Sequence, residues 1–209
     1  MTVKFTQEDL KIFSIPGFKE RMAAIKGKIR PKLEQLGEEL RPSLMNQFKK
    51  EMFAFTAKHM RRTVNPPDET WVAFGPNSRG YKAYVYFAFV VGRNGAQARV
   101  VMKTESNTRP AFGENLLANK KYFEKHSADF SNLQDYTRRD SDYGPTKISK
   151  LDSFLEETGS RLVNLKSAQL DFGLELKPLS SSLEQEILKS FDKLFPFYEC
   201  GRQAGVRFR

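Results

Sequence analysis

Cysteine occurs once in the 209 residues, at Cys200. A disulfide framework and an all-cysteine metal site are therefore excluded. Histidine occurs twice, at His59 and His126. A histidine-based metal centre would need both of them plus carboxylates, and the spacing matches no ligand pattern, so neither a metal nor a cofactor is expected. No apolar run approaches the roughly 20 residues that span a bilayer. The opening stretch MTVKFTQEDLKIF has acids early and lacks the apolar core of a secretory leader. These absences predict a soluble protein of the reducing cytoplasm with no membrane partner. The glycine-rich dinucleotide fingerprint, the Walker phosphate loop, His-Glu-x-x-His and the Gly-x-Ser-x-Gly elbow are also absent, which removes the motif-based arguments for an enzyme.

What the chain does have is aromatic residues and positive charge. Hydrophobic residues make up only 39% of it, but 18 Phe and 7 Tyr bury much area each, so a core forms and the body is ordered. One domain over residues 1–201 is expected, followed by a basic, flexible tail at 202–209. The formal net charge is +10, and it is unevenly placed. Residues 1–110 carry 20 Lys and Arg against 10 Asp and Glu, whereas residues 111–209 carry 15 of each. A surplus confined to one half favours polyanions or phosphorylated ligands.

Thr6 and Asp9 form a capping-box pattern for a short helix through Phe13. Phe18, Met22, Ile25, Ile29, Leu33, Leu36, Leu40, Leu44 and Phe48 recur at steps of three and four, one face of a helix. Pro31 and Pro42 predict that this stretch divides into two or three helices. The period then changes. Residues 52–59, 70–75, 83–92 and 97–104 read as strands, the last two joined by a hairpin at Arg93-Asn94-Gly95. A helix ending near His126 follows. A polar region at 127–148 has a short strand near Tyr136 and a loop at Tyr143-Gly144-Pro145. A helix capped by Ser149 with Asp152 closes near Gly159, a strand covers 165–176, and a last helix opens at Ser181 with Glu184. Strands grouped together, with helices before and after, predict an α+β fold.

The densest polar grouping is Lys58, His59, Arg61, Arg62 and Asn65, with Arg79, Tyr81 and Lys82 further on. Pairing of the strands at 53–59 and 70–75 would let the two groups approach. Arginine forks and backbone amides would then suit a phosphate or carboxylate; the plain alternative is a solvated pair of basic loops. His59 is either a general acid/base or a packed, hydrogen-bonded ring, and no nucleophile stands beside it. Asp129, Asp135, Asp140 and Asp142 match no calcium loop and read as an acidic loop. Tyr81, Tyr84, Tyr86, Phe87 and Phe89 suggest base stacking on a sheet, but alternation sends about half of them into a core. Trp71 is expected in the core, and Cys200 is expected to be inert.

Four stretches carry a family resemblance. They are Gly17-Phe18-x-x-Arg21-Met22-x-x-Ile25; Pro31-Lys32-Leu33-x-x-Leu36-Gly37-Glu38-Glu39-Leu40; Ala57-Lys58-His59-x-Arg61-Arg62-Thr63-Val64-Asn65-Pro66-Pro67; and Thr70-Trp71-Val72-Ala73-Phe74 with Arg79-Gly80-Tyr81-Lys82. With them the chain resembles the YktB-like family of Bacillus-type bacteria over almost its whole length, most specifically at 57–82. The resemblance implies a curved antiparallel sheet packed with helices, of the TATA-binding-protein-like or helix-grip type. It implies no activity, and a fold shared with a DNA-binding protein is not evidence of DNA binding. Where family members tend to show Pro-His-Phe after the Arg79–Lys82 stretch, this chain has Val85-Tyr86-Phe87. Where they tend to carry Asp-His-Thr-Lys, it has Tyr143-Gly144-Pro145-Thr146-Lys147. Both departures remove histidines and weaken an enzyme reading.

Three functions fit these residues. The first is a module binding a polyanion, nucleic acid above all, through Lys58, His59, Arg61, Arg62, Asn65, Arg79 and Lys82. The second is an enzyme or sensor for a small phosphorylated or acidic ligand held where sheet and helices meet. The third is an interaction or structural protein.

Overall fold

A computed structural model describes residues 3–60, 63–137, 145–177, 179–201 and 205–208. The expected capping box is formed: the Thr6 hydroxyl accepts from the Asp9 amide, and the Asp9 carboxylate accepts from Thr6 N–H at 2.7 Å. It opens α1 (Gln7–Lys11), continued by a 3-10 turn at Ile12–Ser14.

Residues 18–48 are one continuous helical run, not two or three helices. It comprises α2 (Phe18–Ala24), a π-turn (Ile25–Ile29) and α3 (Arg30–Phe48). The π-turn is what accommodates Pro31. Its extra residue lets Arg30 N–H reach the Ile25 carbonyl, and Pro31 follows in the first turn of α3, where proline is tolerated. Pro42 lies inside α3 on its exposed side. The apolar face is buried as its period requires, from Met22 to Phe48, with Phe18 half-buried at its start. Gly37 lets α3 lie close on the sheet. A Cβ there would stand 3.0 Å from Val72 Cγ2 and 3.1 Å from Ala54 Cβ.

The sheet has seven strands, β1 (Phe53–Thr56), β2 (Glu69–Gly75), β3 (Val85–Gly92), β4 (Gly95–Met102), β5 (Gln134–Asp135), β6 (Thr146–Lys147) and β7 (Leu170–Leu176). Their order is β1-β2-β3-β4-β7-β5-β6, and every pairing is antiparallel. The fold is α+β, an open antiparallel sheet packed with helices. Gly95 takes φ +85° directly after the two-residue loop between β3 and β4, which explains the glycine in that hairpin. One face carries Val72, Phe74, Phe87, Phe89, Val100 and Phe172 into the main core with the helices. The other face carries a smaller cluster of Ala73, Tyr86, Ala88, Val90 and Val101. Trp71, expected in the core, is half-buried on this second face: Val72 and Phe74 point to the helices, so alternation turns Trp71 away.

The single helix expected before His126 is two, α4 (Arg109–Ala118) and α5 (Lys120–Lys125), broken at Asn119. Asn119 Nδ2 donates to the Asn115 and Val206 carbonyls, and its Oδ1 accepts from Phe208 N–H at 2.8 Å. Asn115 Oδ1 accepts from Gly205 and Val206 N–H, both at 3.1 Å. Two buried asparagines thus hold residues 205–208 against the body. α6 (Leu151–Asn164) runs past Gly159 and lacks the expected Ser149–Asp152 cap. Gly159 is a crossing point, not a helix end: a Cβ there would meet Leu117 Cγ at 2.6 Å, and one at Gly113 would meet the Gly159 carbonyl at the same distance. The last helix, α7 (Leu183–Cys200), begins after Ser182, which makes no side-chain cap. The Ser180 and Ser182 hydroxyls serve Glu186 instead, and the expected Ser181 cap does not form.

Candidate functional site

The loop from β1 to β2 and the loop from β2 to β3 carry the basic residues singled out by the sequence. Register decides where each loop sits. Thr56 pairs with Val72 and Phe53 with Gly75, so the two loops leave opposite ends of β2. A seven-residue strand is about 20 Å long. The structure therefore keeps Lys58, His59 and Asn65 at one end of the sheet and Arg79 and Lys82 at the other. Arg61 and Arg62 lie outside the described residues, as do Asp140, Asp142, Tyr143 and Gly144.

At the first end, Lys58 is exposed and its carbonyl accepts from Arg30 Nη2 at 3.2 Å. His59 adopts φ +51°, uncommon for a residue with a Cβ. Its ring stands edge-on to Trp71 at 5.3 Å, with Nε2 3.0 Å from Thr70 Oγ1. The ring is packed and hydrogen-bonded, the second of the two roles open to it. Asn65 is exposed. At the other end, Arg79 and Lys82 are exposed. Arg79 N–H donates to Asn77 Oδ1 at 2.8 Å, a local turn. Tyr81 folds back from this loop over the helix-free face, where its hydroxyl accepts from Trp71 Nε1 at 3.2 Å and its ring meets Tyr86 at 4.6 Å. Burial pushes the Tyr81 hydroxyl above its ordinary range, so it stays protonated.

The Arg30–Lys58 bond brings in a group the loop alone did not reveal. Lys26, Lys28 and Arg30 sit in and just after the π-turn, with both lysines exposed. The signal was present as Lys26-Gly27-Lys28-Ile29-Arg30, but on a helix such a run reads as a solvated face. Two acids at this end are engaged. Asp68 takes Arg21 Nη1 at 2.9 Å and Arg93 Nη2 at 3.4 Å, and Glu69 takes Arg99 Nη2 at 2.8 Å. Among the described residues, Lys26, Lys28 and Lys58 form no ion pair. The result is a surface that presents three exposed lysines.

A second polar cluster lies on the helix-free face. Arg99 on β4 is 2% exposed. It donates to Glu69 on β2 and to Gln97 Oε1 at 2.8 Å, and stands 3.5 Å from Asp171 on β7. Its guanidinium lies 3.7 Å from the centre of the Tyr136 ring. Burial works against the Arg99 charge, but Asp171 and Glu69 outweigh it and raise the guanidinium above its ordinary range. Burial likewise raises the Tyr86 and Tyr136 hydroxyls. With its cation matched by two carboxylates, this cluster ties three strands together across the sheet. Cys200 is fully buried, and burial followed by Glu199 raises its thiol, which keeps it unreactive. Among the described residues, no three His, Cys, Asp or Glu groups are placed to hold a metal, and no helix is long and apolar enough to cross a membrane.

The architecture is that of an α+β protein with an open antiparallel sheet, helices on one face and a basic rim. The chain belongs to the family described as Domain of unknown function (DUF1054), whose model matches residues 5–198. It is similar to the UPF0637 protein of Bacillus licheniformis, 33% identical over 98% of this chain and 99% of the relative. The UPF0637 proteins of Lysinibacillus sphaericus and Staphylococcus carnosus are each 32% identical, over 94% and 93% of this chain and 94% and 97% of their own lengths. These relatives agree with the resemblance to Bacillus-type proteins read from the sequence.

Proposed function

We propose that this protein is a polyanion-binding module whose ligand is nucleic acid, held by its phosphates at the sheet end where the β1–β2 loop meets the π-turn. One observation carries the reading: Arg30, directly after the basic π-turn, donates to the Lys58 carbonyl of the basic loop, while Asp68 and Glu69 are paired to arginines. Lys26, Lys28 and Lys58 then act as phosphate contacts, with His59 and Asn65 flanking them. Arg79 and Lys82, at the far end of β2, form a separate contact for a ligand long enough to reach both. Phosphate contacts of this kind give affinity without base selectivity. The sheet-and-helix layering also supports a TATA-binding-protein-like or helix-grip arrangement, in which long helices pack on one sheet face. The small-ligand reading draws less support, because its intended cluster is divided between the two ends of β2.

The test is fluorescence anisotropy with a labelled 20-nucleotide mixed-sequence RNA and the corresponding DNA duplex. Lys26→Ala/Lys28→Ala/Lys58→Ala should weaken binding at least tenfold at low salt. Binding that is absent, or untouched by the triple substitution, would remove the reading.

A further inference from the structure

β7 is paired along its whole length on one side and only in part on the other. β4 takes Leu170 through Leu176, whereas β5 covers Phe172 and Gly173 alone. Alternation fixes which backbone groups are left over. Tyr136 N–H donates to the Asp171 carbonyl, and Asp171 N–H donates to Thr137 Oγ1, both at 2.7 Å. Residues 171, 173 and 175 therefore aim their backbone groups away from β4. Asp171 and Gly173 meet the β5 segment. Glu175 does not, because the chain before Gln134 turns off at residues 131–132. Among the described residues no backbone group bonds Glu175 from this side, so its N–H and C=O form an open rung beside the end of β5.

Beside this rung is a groove of about 440 Å³ between β7 and α7. Leu174 and Leu176 follow Phe172 onto the helix-facing side and line the apolar part, while Asn132, Gln134, Glu175 and Ser190 line the polar part. Lys189 and Lys193 form the α7 wall, both exposed and in no ion pair among the described residues. The acids beside them on α7 are engaged: Ser180 Oγ and Ser182 Oγ donate to Glu186 at 2.5 and 3.2 Å, the Ser180 bond holding its carboxyl below the usual range, and Asp192 accepts from Gln47 Nε2 at 3.0 Å. Two lysines four residues apart on a helix are separated by about 6 Å along its axis. Alternate residues of a strand are about 7 Å apart. Successive same-side residues of an added strand would thus meet successive lysines.

We propose that this groove binds an extended acidic peptide segment of a partner protein, which adds to β7 at Glu175 and lays alternate carboxylates against Lys189 and Lys193. The backbone rung selects a peptide, and the lysine pair selects its charge. The site lies four strands from β1 in the sheet order, at the part of β7 that β5 leaves uncovered, and is independent of the phosphate-binding reading.

The probe is a fluorescein-labelled octapeptide of alternating threonine and glutamate, followed by anisotropy. Binding should fall at least tenfold for Lys189→Glu/Lys193→Glu and stay within twofold for Lys26→Ala/Lys28→Ala/Lys58→Ala. The same peptide with N-methylated backbone amides should also bind at least tenfold more weakly, a comparison that leaves the protein unaltered. The proposal is overturned by N-methylated peptide binding equally well, by an unchanged affinity in the α7 double variant, or by no binding of the parent peptide at 1 mM.

Discussion

Arg99 is the residue on which the helix-free face depends most. Its neighbours Glu69 and Asp171 are largely buried on two other strands, so replacing the guanidinium removes the nearest cation from both carboxylates and leaves Lys103 3.8 Å from Asp171. Breaking a buried pair from one side costs about 3–5 kcal/mol. Arg99→Met should therefore lower stability in urea unfolding by about 3 kcal/mol, and a loss below about 1 kcal/mol would show that the cluster does not tie the strands. Little of this was visible in sequence, because Arg99, Glu69 and Asp171 are far apart in the chain and only register brings them together. His59 was legible only as a pair of roles, and its partner Thr70 Oγ1 decides between them. Lys26, Lys28 and Arg30 were plain to see as charges; their neighbour across the fold, Lys58, was not.

Helix elements were legible in proportion to their periodicity. The run from Met22 to Phe48 is buried where its spacing predicted, yet the two prolines that suggested breaks are absorbed by a π-turn and an exposed face. Gly159 misled in a similar way: it packs against Gly113 and Leu117 by its small size and does not end a helix. Gly27 differs, since it is exposed in the π-turn and nothing lies within 4 Å of an added Cβ. Gly27→Ala should stabilise by about 0.5–1 kcal/mol by restricting the unfolded chain, raising the melting temperature by about 1–4 °C. A lowered melting temperature would mean that the π-turn needs the glycine backbone.

The contact between α3 and α7 has its own pH signature. Burial first, and then Glu39, hold the Glu184 carboxyl above the usual carboxylate range. A carboxyl raised on folding binds its proton more tightly in the folded state. Its contribution is therefore largest in acid and declines as pH rises from the unfolded value through the folded one. Glu184→Gln removes that decline. Between pH 4 and pH 7 the melting temperature of the variant should rise relative to that of wild type, and parallel pH profiles would contradict the assignment.

At the scale of the whole molecule, the α+β class followed from the grouping of strands, and the hairpin of β3 and β4 from its glycine. The placement of β7 between β4 and β5 did not. Long-range strand order depends on contacts distant in sequence, which local patterns do not encode. The same limit explains the candidate site. Both basic loops were seen, but antiparallel pairing puts them at opposite ends of β2, and the π-turn takes the place of the second loop at the first end. At this end of the sheet Asp68 and Glu69 are committed to arginines, and Lys26, Lys28 and Lys58 stand outside any ion pair among the described residues.

The most direct measurement of the central claim is the salt dependence of RNA binding by wild type and by Lys26→Ala/Lys28→Ala/Lys58→Ala. Each phosphate contact to a single strand contributes roughly −0.7 to the slope of log affinity against log salt. The slope should be negative for wild type and shallower by about 2 for the triple variant, as three lost contacts require. A wild-type slope near zero, or equal slopes for the two proteins, would contradict a phosphate-binding surface at this end of the sheet.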